Sequence, residues 1–337
     1  MILLYTKSLA AVCLALAGGL FSADVLAQED GDESYEILAS HWMHAGPTKP
    51  FTGRMWSPWS FQNRVEELGR VGFTGIGLFQ DDIAYILKNE ADGETRTERL
   101  EWMKEQLDKN GITTVELEFL VSWMYPEDHP KREAEQEIRD LLLETGQVLE
   151  ARHLKVGNIY GVVAPVEQLK ETFADMCADT KQAGMKLGME IMPPDPNSRT
   201  LDQAREWIGN DPECGIYLDI WHINNIEAIS YEDIAALKPD DVAAVELGDG
   251  FVPEPAMENV FNEIGSFGFI ERTVNLRRIP GNGNFDVVGF IKAVKASGYD
   301  GPWGNEILSE EYRHIPKEIA YRRVFDATSK HMEKAMK

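Results

Sequence analysis

Four strand-like runs in this chain carry a carboxylate toward their ends: Glu190 in LGMEIMP, Asp219 in GIYLDIW, Glu246 in VAAVELGD and Glu306 in PWGNEIL. An acid inside an apolar run is costly to bury unless it is paired, protonated or bound to a cation. Any one of them alone reads as a salt bridge or a cap, and Asp219 stands where turns and helix N-caps often place an aspartate. Four at equivalent positions read differently, because acids converging on one mouth repel one another and a divalent cation is the simplest remedy. Mg2+ and Mn2+ prefer oxygen donors, and Mn2+ or Co2+ also tolerates a histidine nearby. The expected metal ligands are therefore Glu190, Asp219, Glu246 and Glu306, with His222 one turn beyond Asp219 in the phrase LDIWHINN.

A second cluster is RRIPGNGNFD, residues 277–286. Its proline and glycines make a tight backbone stop, and Asp286 is a natural N-cap for the helix that follows. Structurally this is a turn leading into a helix. Functionally, an arginine fixed by a rigid turn near the mouth could hold a sugar oxygen or a carboxylate. The excursion from Gly250 to Asn275 is long for a loop of this kind and reads as a lid. His41, His44, Gln80, Asp81, Asp82, Glu118 and Tyr160 also follow or lie within strand-like runs. Each of these, taken singly, reads as packing, a cap or a satisfied polar group. Trp42, Trp56, Trp59, Trp123, Trp221 and Trp303 fall near strand ends, where an aromatic face suits either a sugar ring or ordinary core packing.

The elements that must position these residues follow one rhythm: an apolar or β-branched run, a polar loop, a segment of helical period, then Gly or Asn before the next run. The runs fall at 35–42, 73–79, 112–120, 153–161, 187–193, 215–221, 242–249 and 302–308. Glycines at Gly111, Gly184 and Gly298 stop the intervening helices. Strands alternating with helices argue for parallel pairing, and eight such units close into a single (β/α)8 barrel, spanning 34–337. A doubly wound open sheet would want a Gly-rich phosphate loop after its first strand, and none is present. In such a barrel, functional groups sit at the carboxyl ends of the strands.

Ahead of the barrel, residues 1–27 hold one lysine, an apolar stretch from Leu9 to Phe21 and the small-residue pattern Val25-Leu26-Ala27. This reads as a cleavable secretory signal, its apolar core being shorter than the roughly 18 to 20 residues a bilayer span needs. Residues 28–33 are a polar leader. The expected home is a bacterial periplasm or the outside of a cell, with no membrane attachment after cleavage. A net charge of −24 repels nucleic acid and anionic lipid. Cys177 and Cys214 lie in separate elements and do not resemble a disulfide framework.

The acids Glu190, Asp219 and Glu306, the LDxxHxN phrase of Leu218, Asp219, His222 and Asn224, and the RRxPGxG turn followed by GYxG at Gly298 to Gly301 resemble the xylose isomerase-like TIM-barrel superfamily. Within it the chain resembles the ketose 3-epimerases acting on free sugars. The resemblance implies a Mn2+, Mg2+ or Co2+ ion held by Glu190, Asp219 and Glu306. It also implies substrate contacts from His222 and Arg277, with Arg278 the alternative if the turn is offset by one; Asn224 and Trp221 are further substrate-side candidates. The family usually carries a histidine where this chain has Glu246, so Glu246 reads as an all-oxygen substitute, a weaker ligand, or a sign of diverged chemistry. The resemblance further implies pairing into homo-oligomers.

The expected reaction is isomerisation or epimerisation of a small carbohydrate carrying a carbonyl, in which Glu190 and Glu306 remove and return a proton through an enediolate. Two alternatives stand beside it. One is a metal-dependent lyase that cleaves 3-keto-glycosides by β-elimination. The other is a non-catalytic periplasmic sugar-binding barrel. An endonuclease built on clustered histidines and zinc ions does not suit a chain whose seven histidines are scattered.

Overall fold

The computed structural model describes residues 35–51, 53–252 and 272–337. Eight parallel strands close into a barrel in chain order. They are β1 (Ile37–Ala39), β2 (Gly75–Phe79), β3 (Thr114–Leu120), β4 (His153–Val156), β5 (Lys186–Glu190), β6 (Cys214–Asp219), β7 (Val242–Leu247) and β8 (Trp303–Asn305). Closure is made by β1, which sets Ala39 opposite Ile76 of β2 on one side and Asn305 of β8 on the other. The expected single (β/α)8 barrel is the observed architecture. The expected signal peptide (1–27), the polar leader (28–33) and most of the expected lid (253–271) lie outside the described residues.

Helices on the outside include α1 (His41–His44), α2 (Phe61–Val71), α3 (Gln80–Asn89), α4 (Arg96–Lys109), α5 (Pro130–Leu149), α6 (Val166–Gln182), α7 (Leu201–Ile208), α8 (Ile220–Asn224), α9 (Tyr231–Ala235), α10 (Val287–Ala296) and α11 (Lys317–Ala335). Sequence sets their starts. Thr95 and Glu98 form a capping box on α4, and Asp286 accepts from Gly289 N at the start of α10 as expected. Helix α3 was not foreseen; it places Gln80, Asp81 and Asp82 in its first turn, where acids complement the helix dipole. Strand residues such as Ile76, Leu117, Leu187 and Ile216 bury completely against helix residues such as Leu68, Leu100 and Phe290. Each side chain of this size contributes about 1.5–3 kcal/mol when fully buried.

Several strands are shorter than their apolar runs, because side chains take over the backbone partners. After β4, Asn158 accepts from Val162 N at 2.8 Å and donates to Val162 O at 2.9 Å, which folds 157–162 into a loop. Cys177 of α6 and Cys214 of β6 form a disulfide with a Cα–Cα distance of 5.9 Å, which corrects the reading of these cysteines as unrelated. Separation in sequence concealed a proximity that only the barrel creates.

The RRIPG turn is pinned on both sides. Asp249 and Arg278 exchange backbone hydrogen bonds at 2.8 and 2.7 Å, and Arg277 N donates to Leu308 O at 3.2 Å. The Asp249 carboxylate accepts from the backbone N–H groups of Gly250, Gly281, Gly283 and Phe285 at 2.7–3.1 Å. Gly283 is required here, since a Cβ would collide with the Gly250 carbonyl oxygen. Because the segment is extended, successive side chains leave on opposite faces, so Arg277 enters the barrel mouth and Arg278 leaves it. Asp249→Ala strands these N–H groups and is expected to lower stability by about 3 kcal/mol or more, read as a shift in urea midpoint.

Candidate active site

The site is built on a lysine. Lys155, in the apolar strand β4, is 1% exposed and directs its ammonium into the barrel. Its Nζ lies 3.0 Å from Glu118 Oε2, 3.0 Å from Glu246 Oε2 and 3.2 Å from Glu306 Oε1. Burial works against the ammonium charge, but Glu118, Glu246, Glu306 and Glu116 outweigh it and hold the pKa well above the ordinary lysine value. Below this level His153 Nε2 is 2.7 Å from Glu116 Oε2, and Tyr217 donates to the same carboxylate. Burial disfavours the Glu116 anion, yet Lys155 and His153 prevail and lower its pKa to about 2.

Above Lys155 stands Arg277. A single nitrogen, Nη1, bridges Asp219 Oδ2 at 2.6 Å and Glu306 Oε2 at 2.7 Å. The other Asp219 oxygen accepts from Trp221 N at 2.8 Å and caps α8. Asp219 is therefore both the helix cap and a member of the acid cluster, one oxygen for each. His222 Nε2 lies 3.3 Å from Glu190 Oε1 and 3.4 Å from Asp219 Oδ2. Glu190 Oε1 is buried without a hydrogen bond.

Glu190, Asp219, Glu246 and Glu306 each offer an oxygen within 4.8 Å of the others, close enough to share one ion. That convergence and the unsatisfied Glu190 oxygen fit a divalent cation. Both oxygens of Glu246 are already bonded, however, Oε1 to Ser40 and Lys155 and Oε2 to Lys155. Glu190, Asp219 and Glu306 are the better donors. The expectation that a metal ion alone relieves the acids is thus revised: Lys155 and Arg277 already stand among them.

Over the cluster opens a cavity of about 240 Å³. Glu118, Glu190, Glu306, His222 and Arg277 border it, and Trp42, Phe79, Phe119, Met192 and Leu308 form apolar walls. Three expected substrate contacts are corrected. Trp221 is buried beneath the site, packed on Phe285 with its ring 5.7 Å from the Arg277 guanidinium carbon. Asn224 turns back along its helix, donating to Ile220 O and Tyr231 Oη at 2.9 Å. Arg278 points outward to Glu311 at 3.6 Å and stacks over Phe251. His41 and His44 also lie away from the cavity, in a buried network where Arg64 holds Asp82 at 2.8 Å and His44 meets Gly77 O. Gln80 and Tyr160 do border the cavity.

Lys155 was missed from sequence, although its signal was present. A lysine between Leu154 and Val156 in an apolar strand is as anomalous as an acid there, and must find anionic partners.

The sequence model of the family described as xylose isomerase-like TIM barrel matches residues 65–330. A 3-dehydroshikimate dehydratase from Pseudomonas aeruginosa is 27% identical over 135 residues, covering 40% of this chain and 19% of that protein. The chain thus spans about a fifth of the length of the curated relatives it matches. Among solved structures, the IOLI protein with a bound zinc atom superposes with a TM-score of 0.69 at 17% identity, over 89% of this chain and 99% of that one. A D-psicose 3-epimerase solved in the presence of D-fructose gives a TM-score of 0.62 at 14% identity, over 90% and 99% of the two chains. At these identities the structural likeness establishes the fold.

The charge balance sets two expectations. Lys155→Met leaves Glu118, Glu246 and Glu306 without their shared cation and should cost about 3–5 kcal/mol near pH 8. The deficit should shrink as acidification protonates the acids. In the unsubstituted protein, burial and the neighbouring Glu306 and Glu116 charges push Glu118 up to about 8 despite the pull of Lys155. The folded state then binds more protons than the unfolded one between the ordinary glutamate value of 4.5 and about 8. The stability from this group is present at low pH and lost as pH rises through that window. Urea midpoints from acid to mildly alkaline pH should show this decline, and Glu118→Gln should flatten it.

Proposed function

Because the chain belongs to the xylose isomerase-like TIM-barrel family, we propose that it is an enzyme that removes a proton from the carbon beside a carbonyl in a small carbohydrate-like substrate. The observation that carries this reading is the convergence of Glu190 and Glu306 on one small cavity together with His222 and Arg277. Two carboxylates bordering the same bound molecule can serve as base and acid in turn. That Arg277 and His222 border the cavity supports a part for them in orienting substrate oxygens, and the apolar walls of Trp42, Phe79, Phe119 and Met192 would limit water at the reacting carbon.

A divalent cation held by Glu190, Asp219 and Glu306 would polarise the carbonyl and stabilise the developing negative oxygen. The likeness to a zinc-bound protein and the acid convergence support such an ion, with Mn2+, Mg2+ and Co2+ as the candidates. The disulfide supports work in an oxidising compartment, in keeping with the apolar segment from Leu9 to Phe21.

Return of the proton to the opposite face gives an epimer, and its transfer to the neighbouring carbon gives an isomer. The second reading is elimination, in which loss of a β-substituent follows the same proton removal; the similarity to a dehydratase favours keeping it. Incubating keto-sugars and 3-keto-glycosides with the enzyme in D2O tests both. Deuterium entering an intact sugar marks epimerisation or isomerisation, and a released aglycone marks elimination. Glu190→Gln and Glu306→Gln should each lower exchange by at least about 100-fold while the fold persists by circular dichroism. Full activity in Glu306→Gln would remove it from the reaction.

A further inference from the structure

We propose that Arg277 is an exchangeable occupant of the cation position: its guanidinium stands between Asp219 and Glu306 until a divalent ion displaces it. The freed arginine then turns into the cavity to meet substrate oxygens. This inference rests on the reading of the cavity as an enzyme site that takes a divalent ion.

The first support is how Arg277 is held. Nη1 alone bridges the two acids at 2.6 and 2.7 Å, acting as a point cation rather than through the paired geometry a guanidinium offers. Its remaining contacts are long: Nη2 to Thr273 Oγ1 at 3.2 Å and to His222 Nε2 at 3.4 Å, and Nε to Thr273 O at 3.2 Å. The second is what the guanidinium leaves undone. Glu190 belongs to the same cluster and is 3% exposed, yet its Oε1 makes no hydrogen bond and has His222 Nε2 at 3.3 Å beside it. An ion among Glu190, Asp219 and Glu306 would meet all three acids.

Charge and space agree with an exchange. Glu118, Glu190, Asp219, Glu246 and Glu306 face Lys155 and Arg277, so replacing a single positive charge by a double one improves the local balance. The two cations cannot share the position, since like charges a few ångströms apart repel strongly away from water. Arg277 borders the cavity, so its side chain has somewhere to go, while its backbone stays pinned to Leu308. Lys155, no more buried than Arg277, differs in being bonded to three carboxylates and in not bordering the cavity. It is the permanent cation and Arg277 the replaceable one.

Calorimetric titration with Mn2+ alone tests the exchange. A resident competitor lowers apparent affinity by the fraction of time it is in place, so Arg277→Met should bind Mn2+ at least about tenfold more tightly than the unsubstituted protein. Arg277→Lys should show a smaller gain and serves if the methionine variant does not fold. A second readout needs no arginine variant: the guanidinium lies 5.7 Å from the Trp221 ring, so Mg2+ should change tryptophan emission, and Trp221→Phe should abolish that change. Equal Mn2+ affinity in the folded proteins, or ion binding without a Trp221 signal, overturns the exchange and leaves proton transfer standing. Absence of Mn2+ binding from both proteins also overturns it. Failure of the enzymatic reading appears separately, as protein that binds Mn2+ but exchanges no substrate proton.

Discussion

Everything at the mouth of this barrel depends on compensating negative charge that is almost wholly buried. Five glutamates and aspartates crowd the carboxyl ends of the strands, and Lys155 ties three of them together from below. Without that ammonium, closing the barrel would bury three carboxylates with no shared cation, a strongly destabilising arrangement. Burial and Glu306 raise the Glu246 pKa well above the ordinary carboxylate range even with Lys155 beside it.

The departure at Glu246 becomes intelligible in this light. Where the resemblance implied a histidine ligand, the chain has a carboxylate bonded to Ser40 and Lys155. The glutamate on β7 and the lysine on β4 form one unit, 91 residues apart in sequence, that anchors the cluster. Lys155 also holds Glu306 Oε1, leaving Oε2 to Arg277. Floor and mouth are thus coupled through the two oxygens of one side chain.

A second chain of dependence runs through the backbone. Asp249, just beyond β7, gathers N–H groups from the glycine-rich turn and fixes the strand-like path of 277–278. That path decides which arginine faces inward. Asp219 plays a comparable double part, capping α8 with one oxygen and meeting Arg277 with the other. The modest reading of a strand-end aspartate as a cap is observed, and it leaves the second oxygen within the acid cluster.

By itself the sequence determined the barrel, because alternating apolar runs and helical periods leave few closed arrangements, and it determined the acids, because charged residues in apolar strands are conspicuous. Glu190, Asp219 and Glu306 were legible on those grounds, and His222 and Arg277 through the LDxxHxN phrase and the RRxPGxG turn. Only the tertiary structure decided the rest. Lys155 stands out by type in an apolar strand, but its three partners come from β3, β7 and the end of β8. Cys177 meets Cys214 across α6 and β6, Arg277 rather than Arg278 faces inward, and Trp221 and Asn224 turn into packing and helix closure. In each case the deciding fact is a direction or a long-range contact, set by which way a pinned backbone points its side chains, and residue type and spacing do not encode it.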